Sequence, residues 1–321
     1  MTTARAFAER HQIALYAAAI AVGGALGFWV PAIAAALEHA IVPALALLLF
    51  VAFLGVPFER MASAFADLRF LSLVLALNFL VVPLVVGMLS RVVAGEPALL
   101  AGVLLVLLTP CVDYVIVFSG LAGGARDRLL AVTPLLMLLQ IVLLPLYLWA
   151  LAGPELVAAV EVGPFVEAFL VLILLPLGLA VVTQVLGRRA TAVRRAAGHA
   201  EGAMVPLMMI TLAVVVGSQV AAVGAALGGL LIVVPVFVLF AAVLAVIGVL
   251  IARAARLDRP DRIALVFSGV TRNSLVVLPL ALALPASFAL APVVVVTQTL
   301  IELVAMVVLV AVFRRPASTP R

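Results

Sequence analysis

The sequence predicts an all-α polytopic membrane protein: ten transmembrane helices in two inverted five-helix repeats, with helices 4 and 9 interrupted and crossing. Three observations carry that prediction. First, 68% of the 321 residues are apolar and only 10% are charged, where soluble domains run near 45–50% and about 25%. Second, the arginines fall almost entirely on alternate loops. Third, the two most polar stretches inside the apolar runs lie half a chain apart. A mean hydropathy of +1.42 excludes a soluble enzyme, a secreted disulfide scaffold and a disordered chain. The single cysteine, Cys111, excludes an intrachain disulfide and a cysteine-only metal site.

A helix needs about 20 apolar residues to cross the hydrocarbon core. Long uncharged runs mark ten spans, at 13–30, 41–58, 70–90, 98–121, 129–151, 165–186, 203–223, 227–251, 263–284 and 291–313. All nineteen basic residues are arginine. With the N-terminus on one side and the spans alternating, that side receives 17 of them, including the runs at 188–195 and 253–262. The other side receives only Arg91, and Arg272 lies inside a span. The positive-inside rule then puts both termini in the cytoplasm of a plasma or inner membrane. The net charge of +5 therefore orients loops beside anionic headgroups rather than marking a nucleic-acid surface. Arg5 and Arg10 before the first apolar run, with Ala34-Ala35-Ala36 after it, leave a cleaved leader open as an alternative.

Ten spans divide into residues 1–160 and 161–321, five each, forming one integrated transporter domain. An odd number of spans per half makes the second half enter the membrane inverted, a plan common among secondary transporters. The midpoint falls near Gly163-Pro164, in a loop with Glu155 and Glu161 and no arginine. In such folds the substrate site lies where corresponding helices are broken, which directs attention to spans 4 and 9. Span 4 contains Thr109-Pro110-Cys111-Val112-Asp113. Span 9 contains Ser268-Gly269-Val270-Thr271-Arg272-Asn273-Ser274 and then Pro279. Asp113 and Arg272 are 159 residues apart in a chain whose half is 160.5.

Three charges sit near mid-span: Asp113, Arg272 and Glu302. Each costs about 2.5–3.5 kcal/mol on insertion scales, so each needs a cavity or a partner. Asp113 and Arg272 read either as a substrate and proton site or as a structural ion pair tying the halves together. Glu302 and Gln298 are spaced i, i+4 and share a helix face, beside Thr297 and Thr299. Glu302 reads either as a proton carrier or as a satisfied interhelical hydrogen bond. Asn78, Gln140 and Ser218-Gln219 are secondary candidates whose commonest role is gluing helices together. Cys111 is either a small apolar filler or part of the break's chemistry. Close helix packing accounts for the Gly-x-x-x-Gly patterns at Gly23/Gly27, Gly120/Gly124 and Gly224/Gly228. His11, His39 and His199 fall in or beside loops, so no intramembrane metal or haem set is expected, and no cofactor. No Gly-Lys-Ser/Thr phosphate loop occurs.

The run from Thr109 to Gly124 resembles the fourth span of arsenite permeases in the bile acid/sodium symporter superfamily, and the run from Phe267 to Pro279 resembles their ninth. The ten-span layout fits as well, so the resemblance covers essentially the whole chain. It implies that Cys111, which matches the family's span-4 cysteine, handles thiophilic trivalent arsenic. One thiol with oxygen ligands releases that cargo more readily than a full thiolate set. The chain also departs from the family. The permeases carry a span-9 glutamate after an Asn-Asn pair, whereas this chain reads Arg272-Asn273-Ser274-Leu275; Asn273 matches and Leu275 stands in the carboxylate's place. Sodium-coupled relatives bind sodium with a Glu and a Gln, where this chain has Ser268 and Arg272. A guanidinium there repels a second cation.

The expected function is secondary transport, with no enzymatic activity. The first expectation is proton-coupled efflux of arsenite or a related small oxyanion, with substrate at Thr109, Cys111, Asp113, Arg272, Asn273 and Ser274 and protons at Asp113 and Glu302. The alternative is an organic-anion transporter with Arg272 pairing a substrate carboxylate. A membrane enzyme, a structural subunit or a channel is the remote alternative, since no catalytic constellation and no continuous polar path are present. The partners are the solute, protons and the bilayer, with no nucleic acid.

Overall fold

The computed structural model describes residues 3–55, 67–111, 114–159, 170–225 and 227–314. The described residues are helical almost throughout. The helices are α1 (Thr3–Trp29), α2 (Pro31–Leu54), α3 (Leu68–Ala76), α4 (Val82–Leu89), α5 (Pro97–Leu107), α6 (Tyr114–Leu121) and α7 (Arg126–Ala159). They continue with α8 (Leu175–Arg189), α9 (Thr191–Gly202), α10 (Met204–Ala225), α11 (Leu227–Ala254), α12 (Arg259–Val270), α13 (Ser274–Leu282) and α14 (Leu290–Phe313). A π-helical turn, Leu77–Val81, joins α3 to α4.

Among the described residues, five helical stretches are long and apolar enough to cross a membrane: Ala32–Leu54, Leu68–Val93, Leu135–Gly153, Gly228–Ala254 and Ala286–Phe313. The pair Thr191–Gly202 and Met204–Ser218, bent by 48°, makes a sixth if counted as one span. The protein is thus a multi-pass membrane protein. Its surface agrees, because large apolar side chains such as Leu84, Met88 and Leu231 are more than 70% exposed, a state that hydrocarbon tolerates and water penalises. Spans 4 and 9 are not among these stretches because each is broken into two short helices. The second predicted span begins late: α2 starts at Pro31, which suits a first helical position, and carries the exposed Glu38 and His39 inside it.

The chain forms two compact units. The first comprises Met1–Val56, Glu161–Leu227 and Leu278–Leu284; the second comprises Pro57–Val160, Gly228–Val277 and Pro285–Arg321. Neither unit is a sequence half, since each draws helices from both. In the first unit α1 packs on α10 backbone to backbone. A Cβ at Gly23 would lie 2.3 Å from the Ala213 carbonyl oxygen, and one at Gly27 would lie 1.9 Å from that of Gly217. Hydrophobic burial gives little drive between helices in lipid, so this close van der Waals fit holds the pair. Gln184 of α8 donates to the Leu54 carbonyl at 2.9 Å and so satisfies the end of α2.

In the second unit α14 packs on α5 across Gly102, where a Cβ would meet Val294 at 2.7 Å. Gly269 of α12 makes equally close room for Leu77. At the far end of α12, Asp258 caps the helix by accepting from the Asp261 amide at 2.9 Å. Arg128 ties Asp261 at 2.7 Å to Asp67, the cap of α3, and lies over the Phe70 ring at 5.8 Å. These contacts anchor α12 at its start, so its other end is held in register with α5.

Candidate functional site

The site sits within the second unit, where two helix interruptions meet. Pro110 lacks an amide hydrogen and its ring clashes with the preceding turn, so α5 stops at Leu107. The second interruption has no proline; α12 ends at Val270 and Thr271 turns extended, at φ −78 and ψ 137. The two segments pair as an antiparallel bridge between Pro110 and Arg272. The Cys111 amide donates to the Thr271 carbonyl at 3.3 Å, and the Asn273 amide donates to the Thr109 carbonyl at 2.8 Å. Backbone groups freed by the breaks thus satisfy one another, as irregular backbone at membrane depth requires. Each break opens on a threonine whose hydroxyl donates four residues back: Thr109 to Leu105 at 2.6 Å, Thr271 to Phe267 at 2.7 Å.

Arg272 is fully buried. One terminal nitrogen donates to Asn78 Oδ1 at 2.9 Å and to the Ser268 and Gly269 carbonyls at 2.8 Å each. The other reaches the Leu107 carbonyl at 3.4 Å. The cation therefore lies against the C-terminal carbonyls of both α12 and α5, the negative ends of their dipoles. Phe240 of α11 offers its ring face 5.5 Å from the guanidinium carbon, a favourable placement for a cation. Asn78 is positioned by the π-helical turn and itself donates to Ser268 Oγ at 2.9 Å and to the Val74 carbonyl at 3.0 Å.

Glu302 meets the crossing through the backbone. Its Oε2 accepts from the Arg272 amide at 2.8 Å and from Gln298 Nε2 at 2.6 Å. The shared helix face expected for Gln298 and Glu302 is present. Asn273 caps α13, its Oδ1 accepting from the Val276 amide at 3.3 Å, and Ser274 is buried beside it. Three buried polar atoms here have no hydrogen-bond partner among the described residues: Arg272 Nε, Asn273 Nδ2 and Gln298 Oε1. Cys111 is 2% exposed.

The structure thus brings together Thr109, Cys111, Arg272, Asn273, Ser274, Gln298, Glu302 and Asn78. Asp113 lies outside the described residues, as does the side chain of Gln219. Gln140 is buried in α7, but none of the bonds that build the crossing involves it. Ser218 donates to the Val215 carbonyl on its own helix. Sequence reasoning missed Phe240, one of 16 phenylalanines with no local pattern to distinguish it. The sequence marks Asn78 only as a secondary candidate, because a single polar residue in an apolar run does not announce a π turn.

Away from the membrane-spanning segments, burial pushes the Asp261 carboxyl above the usual carboxylate range. Arg128 works against that shift, and Asp258 and Asp67 add to it.

No curated protein matches this chain. A family model, the sodium bile acid symporter family, matches residues 42–225. That is more than half of the chain; it contains the first interruption and stops before α12 and Arg272. The chain belongs to the sodium bile acid symporter family, and it is a membrane transporter rather than an enzyme.

Proposed function

We propose that this transporter carries a small hydroxylated oxyanion or arsenite outward in exchange for protons, with no sodium requirement, and that the crossing is its substrate site. The observation that carries the proposal is the set of buried polar atoms at the crossing that have no partner among the described residues. Burying a polar group without a hydrogen bond costs about 1–3 kcal/mol. Two donors, Arg272 Nε and Asn273 Nδ2, together with an acceptor, Gln298 Oε1, suit a ligand with both oxygen acceptors and hydroxyl donors. The thiol of Cys111, in the same backbone bridge, adds affinity for trivalent arsenic. Thr109 and Ser274 line the same segment.

The proton role falls to Glu302. Its ionised Oε2 holds the Arg272 amide and the Gln298 amide. Protonation weakens those acceptor bonds and loosens the 271–273 segment, which couples proton binding to the substrate site. Asp113 is the second proton carrier in this reading. Sodium is excluded by charge, because the carbonyl ends of α5 and α12 and Asn78 already hold the Arg272 guanidinium. The ten-span inverted repeat, with both termini cytoplasmic in the cell's inner membrane, completes the proposal. The 17-to-1 arginine asymmetry supports it.

The test is arsenite and antimonite resistance in a sensitive host, comparing wild type with Cys111→Ala. Protection that is lost with Cys111→Ala is expected. No protection by a wild type that reaches the membrane would sink the arsenite reading. The family match favours a second reading, organic-anion transport with Arg272 Nε meeting a carboxylate. In that case transport is indifferent to thiol reagents and to Cys111→Ser. In liposomes, an Asp113→Asn protein whose transport keeps an unchanged pH dependence would remove Asp113 from the proton path.

A further inference from the structure

A groove of about 510 Å³ runs between α11 and α14, inside the second unit and apart from the crossing. Its walls are entirely aliphatic, from Val238 to Ala245 on α11 and from Leu300 to Leu309 on α14. The gap is lined by small side chains, Ala241, Ala242 and Ala245 on α11 and Ala305 on α14, which present only methyl groups. Both helices end in an exposed arginine, Arg253 on α11 and Arg314 just past α14, the latter with its Nε donating to the Leu121 carbonyl of α6 at 2.9 Å. Arg259 donates to the Phe313 carbonyl at 2.7 Å. The start of α12 is thereby tied to the end of α14, which keeps the two arginine-bearing ends within one short connection of each other.

The depths fit one ligand class. At about 1.5 Å per helical residue, the groove on α11 runs from about 12 to about 22 Å below Arg253. On α14 it runs from about 7 to about 21 Å below Arg314. Half of the hydrocarbon core is about 15 Å. A lipid with its phosphate at the arginines therefore lays one acyl chain along the groove to the midplane.

We propose that the α11–α14 groove is a binding site for one anionic phospholipid of the adjacent leaflet, with an acyl chain against Ala242 and Ala305 and its phosphate held by Arg253 and Arg314. Charge complementarity selects the headgroup, and the aliphatic walls hold the chain. The site does not depend on which solute the crossing carries.

The full-length protein in detergent tests this with phosphatidylglycerol, phosphatidylcholine and inorganic phosphate as probes, read by native mass spectrometry and thermal unfolding. Wild type is expected to retain one phosphatidylglycerol per chain, with a midpoint about 2–4 °C higher than in phosphatidylcholine. Arg253→Gln is expected to lose most of that preference while matching wild type in phosphatidylcholine, and adding Arg314→Gln, which also removes the bond to the Leu121 carbonyl, is expected to abolish the rest. Ala242→Phe, at an exposed position, is expected to fill the groove and lose the retained lipid. Equal effects of the two lipids would overturn the proposal, as would an equal effect of inorganic phosphate. So would a phosphatidylglycerol preference that survives Ala242→Phe, or a dimer in detergent that Ala242→Phe dissociates, which would give the groove to a second copy of the chain.

Discussion

The two helix breaks, at 109–111 and at 271–273, reach one backbone bridge from different sequences. The first is enforced covalently, since Pro110 cannot continue a helix. The second has no proline at the break, and α12 ends because its terminal carbonyls are taken up by a side chain of the same segment. Arg272 folds back on the Ser268 and Gly269 carbonyls and also reaches the Leu107 carbonyl of the first break. The first break is therefore local, whereas the second is held by a buried cation that serves both. Damage to the proline should stay local, and damage to the arginine should undo the whole crossing.

The largest expected effect follows from Arg272. Arg272→Met leaves Asn78 Oδ1 and the helix-end carbonyls without their donor. Removing one member of a buried charged network costs about 3–5 kcal/mol, which thermal unfolding in detergent would register together with loss of transport. Arg272→Lys should rescue little, because an ammonium cannot reproduce the planar fork that spans four acceptors. Asn78→Ala should be milder, at about 1–3 kcal/mol, since the guanidinium keeps its carbonyl partners. Pro110→Ala should cost about 1 kcal/mol and lower transport while leaving the Arg272 bonds in place. A loss from Pro110→Ala as large as that from Arg272→Met would break the asymmetry.

The smallest effect concerns the start of α12. Burial raises the Asp261 carboxyl, so the folded protein holds that proton more tightly than the unfolded chain. The resulting stabilisation is complete below the ordinary carboxylate value and is lost as pH rises through the raised one. Wild type should therefore lose stability relative to Asp261→Asn over that window. A stability difference between the two that stays flat across the acidic range, read by thermal unfolding at stepped pH, would remove Asp261 from the account.

The breaks themselves were legible in the sequence, because polar clusters around Pro110 and Arg272 stand out against apolar runs and fall half a chain apart. The face shared by Gln298 and Glu302 was legible from spacing alone. Three features were not. The start of α2 at Pro31 was hidden because Glu38 and His39 read as loop residues, although membrane helices tolerate polar residues near an end. The role of Phe240 was hidden because a cation–ring contact is tertiary and leaves no local pattern. The interleaved units were hidden because long-range packing, not chain order, decides which helices cohere. The expected pairing of Arg272 with Asp113 falls on a residue outside those described, and the acceptors found around Arg272 are Asn78 and main-chain carbonyls.

The crossing already contains its own cation, the Arg272 guanidinium. The direct measurement compares thermal unfolding of the wild type in sodium chloride and in choline chloride, with Arg272→Met alongside, and needs no knowledge of the solute. The wild-type midpoint should be indifferent to sodium. A wild type stabilised by sodium over choline would contradict it, because a free cation would then be binding beside a guanidinium said to occupy its place.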